Sequence, residues 1–174
     1  NDPTGVNQIL QSLKDDGFKP NGVIYASIVS GFAANQNFNQ SEKFLDHGER
    51  FLNSALPPAA YASLARAHCR SGNTADDICL ARAEVCIDRL VRAGHKVEAV
   101  AVMPLINKVP VNDLERLLEK AVNRWNFRES ADIGIWGVIK KKVGADKANK
   151  MLRNVGVEPD LLRSRTQRAK DRRS

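Results

Sequence analysis

The chain has 174 residues, of which 43% are hydrophobic and 27% are charged, and its formal net charge is +7. This composition is typical of a soluble, folded protein, and no apolar run approaches the roughly 18 residues needed to cross a bilayer. We therefore expect a folded protein without a membrane segment. No secretory signal is visible and the first residue is Asn1, so we expect a processed or partial chain whose ends do not reveal its compartment.

The predicted elements are helices whose apolar faces recur four times. The tripeptide Tyr-Ala-Ser occurs at residues 25–27 and again at 61–63, each time followed by apolar residues at i+3 and i+4. The four stripes are Tyr25, Ile28, Val29 and Phe32; Tyr61, Leu64, Ala65 and His68; Val102, Leu105, Ile106 and Val109; and Ile135, Val138, Ile139 and Lys142. Their starts lie 36, 41 and 33 residues apart, a period that predicts a helical solenoid. A solenoid builds extended surfaces, so binding is favoured over catalysis.

Helix ends are marked by glycine. Gly17, Gly94 and Gly156 each follow a leucine by four residues, which predicts a left-handed residue that stops the helix. Helix starts are predicted at Asn21, which follows a proline, and at residues followed three positions later by an acid, namely Asn39, Thr74 and Asn112. The predicted helices cover residues of about 5–16, 22–34, 40–53, 58–70, 75–93, 97–108, 112–125, 130–142 and 145–155. Sustained period-2 alternation is lacking, so the fold is predicted to be all-α.

The chain has units of about 35 residues with an aromatic near the start of the first helix, and two closures, Gly-Phe-Lys-Pro-Asn at 17–21 and Gly-Val-Glu-Pro-Asp at 156–160. These features resemble the pentatricopeptide-repeat family, best over residues 22–57 and 58–98. The resemblance implies a right-handed superhelical solenoid of stacked helix-turn-helix repeats. Residues 1–160 would form about four degenerate repeats after a partial N-terminal unit. Residues 161–174 would form a polybasic C-terminal arm.

The family reads single-stranded RNA one base per repeat, chiefly with a small polar residue just after the aromatic of the first helix. The corresponding positions here are Ala26, Ala62, Met103 and Trp136. None has a side chain that discriminates base edges, since Trp136 offers a single donor. We therefore expect the scaffold to be retained while base-specific reading is lost.

Basic residues indicate a different mode of RNA contact. Residues 161–174 carry six basic side chains against one acid, so that residues 1–160 have a net charge of only +2. The predicted phosphate-contacting residues are Lys140, Lys141, Lys142, Lys147, Lys150, Arg153, Arg163, Arg165, Arg168, Lys170, Arg172 and Arg173. For the lysine triplet, a solvated helix end that favours the macrodipole remains an alternative. For the tail, the alternative is an acidic protein partner.

Catalytic and metal chemistry are not indicated. The chain contains no nucleophile elbow, no phosphate-cradling glycine loop and no His-x-x-x-His pair. Cys69, Cys79 and Cys86 form no CxxC pair and have no ligand spacing to a histidine, so we interpret them as reduced packing residues. We expect no enzyme activity, cofactor, metal or small-molecule substrate.

The predicted function is a non-catalytic scaffold in an organellar ribonucleoprotein, such as a mitochondrial ribosome or an RNA-processing complex. It would contact rRNA or mRNA through backbone charge, and neighbouring protein subunits. The mitochondrion is the expected location because the family is mostly organellar, with the chloroplast as the alternative. The rival functions are a sequence-specific RNA stability or processing factor and a purely protein-binding adaptor.

Overall fold

The computed structural model describes residues 3–71, 76–127, 131 and 133–162. Within these ranges all regular secondary structure is helical, which confirms the predicted all-α class. The helices are α1 (Pro3–Asp15), α2 (Gly22–Ala34), α3 (Phe38–Leu52), α4 (Pro58–Arg70), α5 (Asp76–Arg92), α6 (Ala99–Lys108), α7 (Leu114–Asn123), α8 (Ile133–Val143) and α9 (Ala145–Asn154), with a 3-10 turn at Val111–Asp113. None of the described helices has both the length and the apolar character that a bilayer span needs.

The first of two compact units comprises residues 1–95. In it, α2 packs on α3, α4 packs on α5, and the two pairs meet through α2 and α4. Tyr25 and Leu64 are fully buried in this core, as their stripes predicted. Ile28 was expected to be buried as well, but it is only half-buried because it lies at the edge of the stripe that Val29 and Phe32 define.

The second unit comprises residues 96–174 and repeats the arrangement. Here α8 packs on α9, α6 contacts α7, and the pairs meet through α6 and α8. Val102, Leu105 and Ile135 are fully buried, whereas Val138 is half-buried rather than buried as predicted. Each unit is therefore built of helix pairs stacked through their first helices, as in a helical repeat protein.

Three helices share one way of ending. Gly17, Gly94 and Gly156 have φ values of +78°, +79° and +74°, so each takes the left-handed conformation that glycine adopts without steric cost. In each case the N–H of the next residue donates to the carbonyl of the leucine four positions before the glycine. These bonds join Phe18 to Leu13 at 2.7 Å, His95 to Leu90 at 3.2 Å and Val157 to Leu152 at 2.8 Å. The leucine-to-glycine spacing thus corresponds to a Schellman motif that satisfies terminal carbonyls.

Helix starts agree less well with the sequence. The Asn21 side chain accepts hydrogen bonds from two backbone N–H groups at the start of α2, as predicted. The prediction for Asn39 was wrong, because Asn37 caps α3 and Asn39 lies within it. Asn112 does not cap α7 either, because it lies inside the 3-10 turn that precedes this helix. Thr74 lies outside the described residues.

His68 occupies a core position that Phe32 fills in the preceding pair. Its ring is 1% exposed and stacks on Phe38 with a centroid distance of 4.3 Å. Burial lowers the pKa of His68, although the Glu42 carboxylate lies 3.4 Å from its Nε2. A neutral imidazole can therefore replace an aromatic hydrocarbon at this point of the stripe.

The paired helices α2 and α3 approach each other closely at Gly48. A Cβ added there would lie 2.8 Å from Cγ of Tyr25, shorter than side chains tolerate. We predict that Gly48→Ala lowers the free energy of unfolding by about 1–3 kcal/mol through overpacking, despite the helix propensity of alanine. Urea denaturation followed by circular dichroism measures the change.

Gly31→Ala is the matched control, because Gly31 is also helical and an added Cβ would meet nothing within 4 Å. Alanine there should leave stability unchanged or raise it by up to about 1 kcal/mol. Equal effects of the two substitutions would contradict the close contact between Tyr25 and Gly48.

The core of the second unit is tested at Leu105, which is fully buried. We predict that Leu105→Ala costs about 2–5 kcal/mol, the range for a leucine that leaves a cavity. Thermal and urea unfolding provide the measurement. Val100→Ala on the same helix is the control, since Val100 is 46% exposed and its substitution should change stability by less than about 0.5 kcal/mol. If Leu105→Ala lowered the free energy of unfolding by less than about 0.5 kcal/mol, the role of Leu105 in the core would be disproved.

Candidate nucleic-acid interface

In the first unit, the predicted base-reading positions offer RNA only methyl groups. Ala26 is buried at 6% exposure and Ala62 is half-buried on the equivalent turn of α4. Neither side chain can donate or accept a hydrogen bond. These positions therefore have no chemistry with which to distinguish base edges.

In the second unit, Met103 is half-buried and lacks a strong hydrogen-bonding group. Trp136 is also half-buried, and its indole Nε1 donates to Oδ1 of Asn149 at 2.8 Å. The Lys140 Nζ lies 4.9 Å from the centroid of the Trp136 ring, within cation–π range. The only donor of Trp136 is therefore engaged inside the α8–α9 hairpin and is not available to a base.

Exposed lysines collect on the α8–α9 hairpin. Lys140 and Lys141 are exposed in the last turn of α8, and only Gly144 separates this helix from α9. Lys147 and Lys150 are exposed on α9 at a spacing of three residues, which places them on one face. Within the described part of the chain, Lys141, Lys147 and Lys150 form no ion pair. Their charges therefore face solvent, with no paired acid among the described residues.

Lys142 has a different environment from its two neighbours in the triplet. Its Nζ donates to the carbonyl oxygens of Ile106 at 3.1 Å and Asn107 at 2.8 Å, near the C-terminal end of α6. Burial lowers the pKa of Lys142, and the side chain is half-buried. Since two of its three donors bind the end of α6, we expect it to hold α8 against α6 more than to bind phosphate.

Arg153 follows Lys147 and Lys150 along α9 and is 56% exposed. Carboxylate oxygens of Glu158 and Asp160 both lie 4.0 Å from its guanidinium. These long, exposed pairs are weak, so Arg153 can still contribute to the field of this surface. Its contribution is smaller than that of the unpaired lysines because two acids lie nearby.

The described part of the chain ends at a buried leucine. Residues 159–162 form a helical turn, and Leu162 is 2% exposed. Leu162 therefore belongs to the packed second unit rather than to the arm predicted to begin at residue 161. The remaining predicted contacts, Arg163, Arg165, Arg168, Lys170, Arg172 and Arg173, lie outside the described residues.

The charge of the chain divides at the boundary between the units. Residues 1–95 contain nine basic and ten acidic side chains, for a net charge of −1. Residues 96–174 contain eighteen basic and ten acidic side chains, for a net charge of +8. The sequence assigned this asymmetry to the tail and to the basic residues of the last helix pair. Of the +8 of the second unit, residues 161–174 carry +5 and residues 96–160 carry +3.

Other classes of site receive little support from the geometry. Among the described residues, no group of three or more histidine, cysteine, aspartate or glutamate side chains could hold a metal ion. The thiols of Cys69, Cys79 and Cys86 are buried and form no disulfide with one another. Burial raises the pKa of Cys86 to about 12, so its thiol is protonated and unreactive near neutral pH.

Comparisons with known proteins bear on the family. No family model matches the chain. Over 124 residues, covering 68% of the chain, it is 29% identical to the small ribosomal subunit protein mS81 (rPPR8) of Arabidopsis thaliana. The chain spans only 17% of the length of that protein. This similarity and the stacked helix pairs together confirm the resemblance to the pentatricopeptide-repeat family that the closures at residues 17–21 and 156–160 indicated.

Proposed function

We propose that the chain is a non-catalytic scaffold of a mitochondrial ribosome that holds rRNA through backbone charge. The observation that carries this proposal is the set of unpaired, exposed lysines on the α8–α9 hairpin, within a unit of net charge +8. Phosphates are the ligands that such a surface favours, because their neutralisation releases condensed counterions. Contacts of this kind position a protein on RNA without reading its sequence.

The four base-reading positions support the same proposal, because they lack side chains that could read a base. Two are alanines, one is methionine, and the donor of Trp136 is bound to Asn149. A scaffold in a permanent assembly needs shape and charge but no base-by-base code. The loss of readers within an intact helical framework is therefore expected for this role, whereas a sequence-specific factor would need polar readers.

The similarity to mS81, a protein of the small ribosomal subunit, supports an organellar ribonucleoprotein as the setting. It also supports the mitochondrial location over the chloroplast alternative. We propose rRNA and neighbouring ribosomal proteins as the partners of this chain. Because the chain spans only part of mS81, this assignment concerns the segment and its surfaces.

The charge mechanism predicts a salt-dependent loss of affinity in a triple variant, Lys141→Gln with Lys147→Gln and Lys150→Gln. Each phosphate contact on single-stranded RNA contributes about 0.7 to the slope of log affinity against log salt, so the slope should fall by roughly 2. Affinity for a fluorescent oligouridylate, measured by anisotropy at several salt concentrations, provides the test. A second variant, truncated after Leu162, should have a salt slope several units lower than that of the parent chain. Its melting temperature should stay nearly unchanged.

The matched control is Lys19→Gln with Lys43→Gln and Arg92→Gln. This control removes three exposed basic side chains from the first unit. It should leave the slope within about 0.5 of the parent value, because these residues contact no phosphate. Equal slopes for the parent, the triple variant and the truncated chain would refute phosphate binding by the second unit.

The absence of readers predicts that RNA homopolymers bind with similar affinities. Differences among oligouridylate, oligoadenylate and oligocytidylate should stay below the roughly 1–3 kcal/mol that a good bidentate base contact supplies. Competition binding at a fixed salt concentration measures these differences. A strong preference for one homopolymer that disappears when Ala62 or Met103 is changed would instead favour the sequence-specific factor.

A further inference from the structure

A groove of about 280 Å³ lies between α2 and α4 in the first unit. Its floor is formed by alanines, of which Ala33 and Ala67 are buried. Ser30 and Ser63 lie on its wall, and their hydroxyl oxygens are 2.8 Å apart. Small side chains at the junction of the two stacked helices leave this space unfilled, so the groove follows from the repeat packing itself.

Two arginines of α4 line the groove without a counter-charge. Arg66 and Arg70 are four residues apart, so they lie on one face of the helix. Within the described residues neither forms an ion pair, and the Nε of Arg66 is shielded from solvent with no hydrogen-bond partner. None of the described residues that line the groove is an aspartate or a glutamate.

Arg89 of the same unit differs from these two arginines because acidic side chains balance its charge. Its guanidinium donates to Glu49 at 2.7 Å and lies 2.8 Å from Asp46, so its charge is balanced inside the fold. A partly buried guanidinium without a balancing acid is costly, and an incoming anion offsets that cost. The half-buried Arg66 therefore favours an external carboxylate or phosphate, and the exposed Arg70 adds a second planar donor that suits bidentate contacts.

The surroundings favour a carboxylate presented by a protein. The first unit has a net charge of −1, and the groove supplies two cations rather than the extended positive track that an RNA strand needs. Its alanine floor suits an apolar side chain beside the charged one. We propose that this groove binds an acidic segment of a neighbouring protein, with a carboxylate on Arg66 and Arg70 and an adjacent apolar side chain against Ala33 and Ala67.

This inference goes beyond the RNA scaffold and does not depend on it. RNA is assigned to the lysines of the second unit, whereas the protein segment is assigned to the first. Failure of either assignment leaves the other intact, because the two surfaces share no residue.

The test uses the full chain and a short fluorescein-labelled peptide of alternating glutamate and leucine. Arg70→Glu reverses one charge at an exposed position and should leave melting unchanged. It should weaken peptide binding by roughly tenfold or more, the effect of losing a charged hydrogen bond and gaining repulsion. Arg66→Gln should weaken binding in the same direction. Lys43→Glu is the matched control, because Lys43 is exposed on α3 outside the groove. The affinity of this variant for the glutamate peptide should stay within about twofold of the parent value.

A peptide of alternating lysine and leucine completes the design. It should bind the parent chain weakly and bind Arg70→Glu more tightly than the parent, because the charge reversal restores complementarity. Equal affinity of parent and Arg70→Glu for the glutamate peptide would overturn the proposal. Competition of oligouridylate for the groove, with loss of RNA affinity in Arg70→Glu, would overturn it in favour of RNA as the occupant.

Discussion

The constraint on which the structure depends is that a helix pair with one apolar face cannot bury that face alone. The first helices of successive pairs solve this by packing on each other, α2 on α4 in one unit and α6 on α8 in the other. Within a pair, close approach requires a small residue, as at Gly48 of α3, where no side chain fits beside Tyr25 of α2. Between pairs, small residues such as Ala33 and Ala67 at the α2–α4 junction leave a groove open to a ligand. Packing and binding surfaces therefore arise from one arrangement.

Charge gives the two units different surfaces on a common framework. The second unit, with net charge +8, presents unpaired lysines suited to a polyanion, whereas the first unit is nearly neutral. In the first unit the charge of Arg89 is balanced by Asp46 and Glu49. Arg66 and Arg70, by contrast, form no ion pair with a described residue and lie together on one groove. A scaffold that holds RNA with one unit and a protein with the other is consistent with a place in a ribonucleoprotein.

Local signals in the sequence predicted most of the fold. Apolar periodicity located every described helix to within about three residues. The leucine-to-glycine spacing located three helix ends, because a Schellman motif is determined by neighbours in the chain. The capping prediction was wrong at Asn39, since a second asparagine two residues earlier competes for the same role. Lys142 was grouped with Lys140 and Lys141, because nothing in a lysine triplet reveals a bond to carbonyls 36 and 35 residues away. Arg66 and Arg70 were not singled out, since their unpaired state emerges only when α2 and α4 pack together.

The central claim is that RNA is held by backbone charge on the second unit and not by base reading. Ultraviolet crosslinking of the native mitochondrial complex, followed by mass spectrometry of the RNA-linked peptides, tests it most directly. We predict crosslinks on the peptides that contain Lys141, Lys147 and Lys150 and on those that follow Leu162, with no shared base sequence at the linked nucleotides. Crosslinks concentrated at Ala62 or Met103, with one recurring base at each position, would contradict the account.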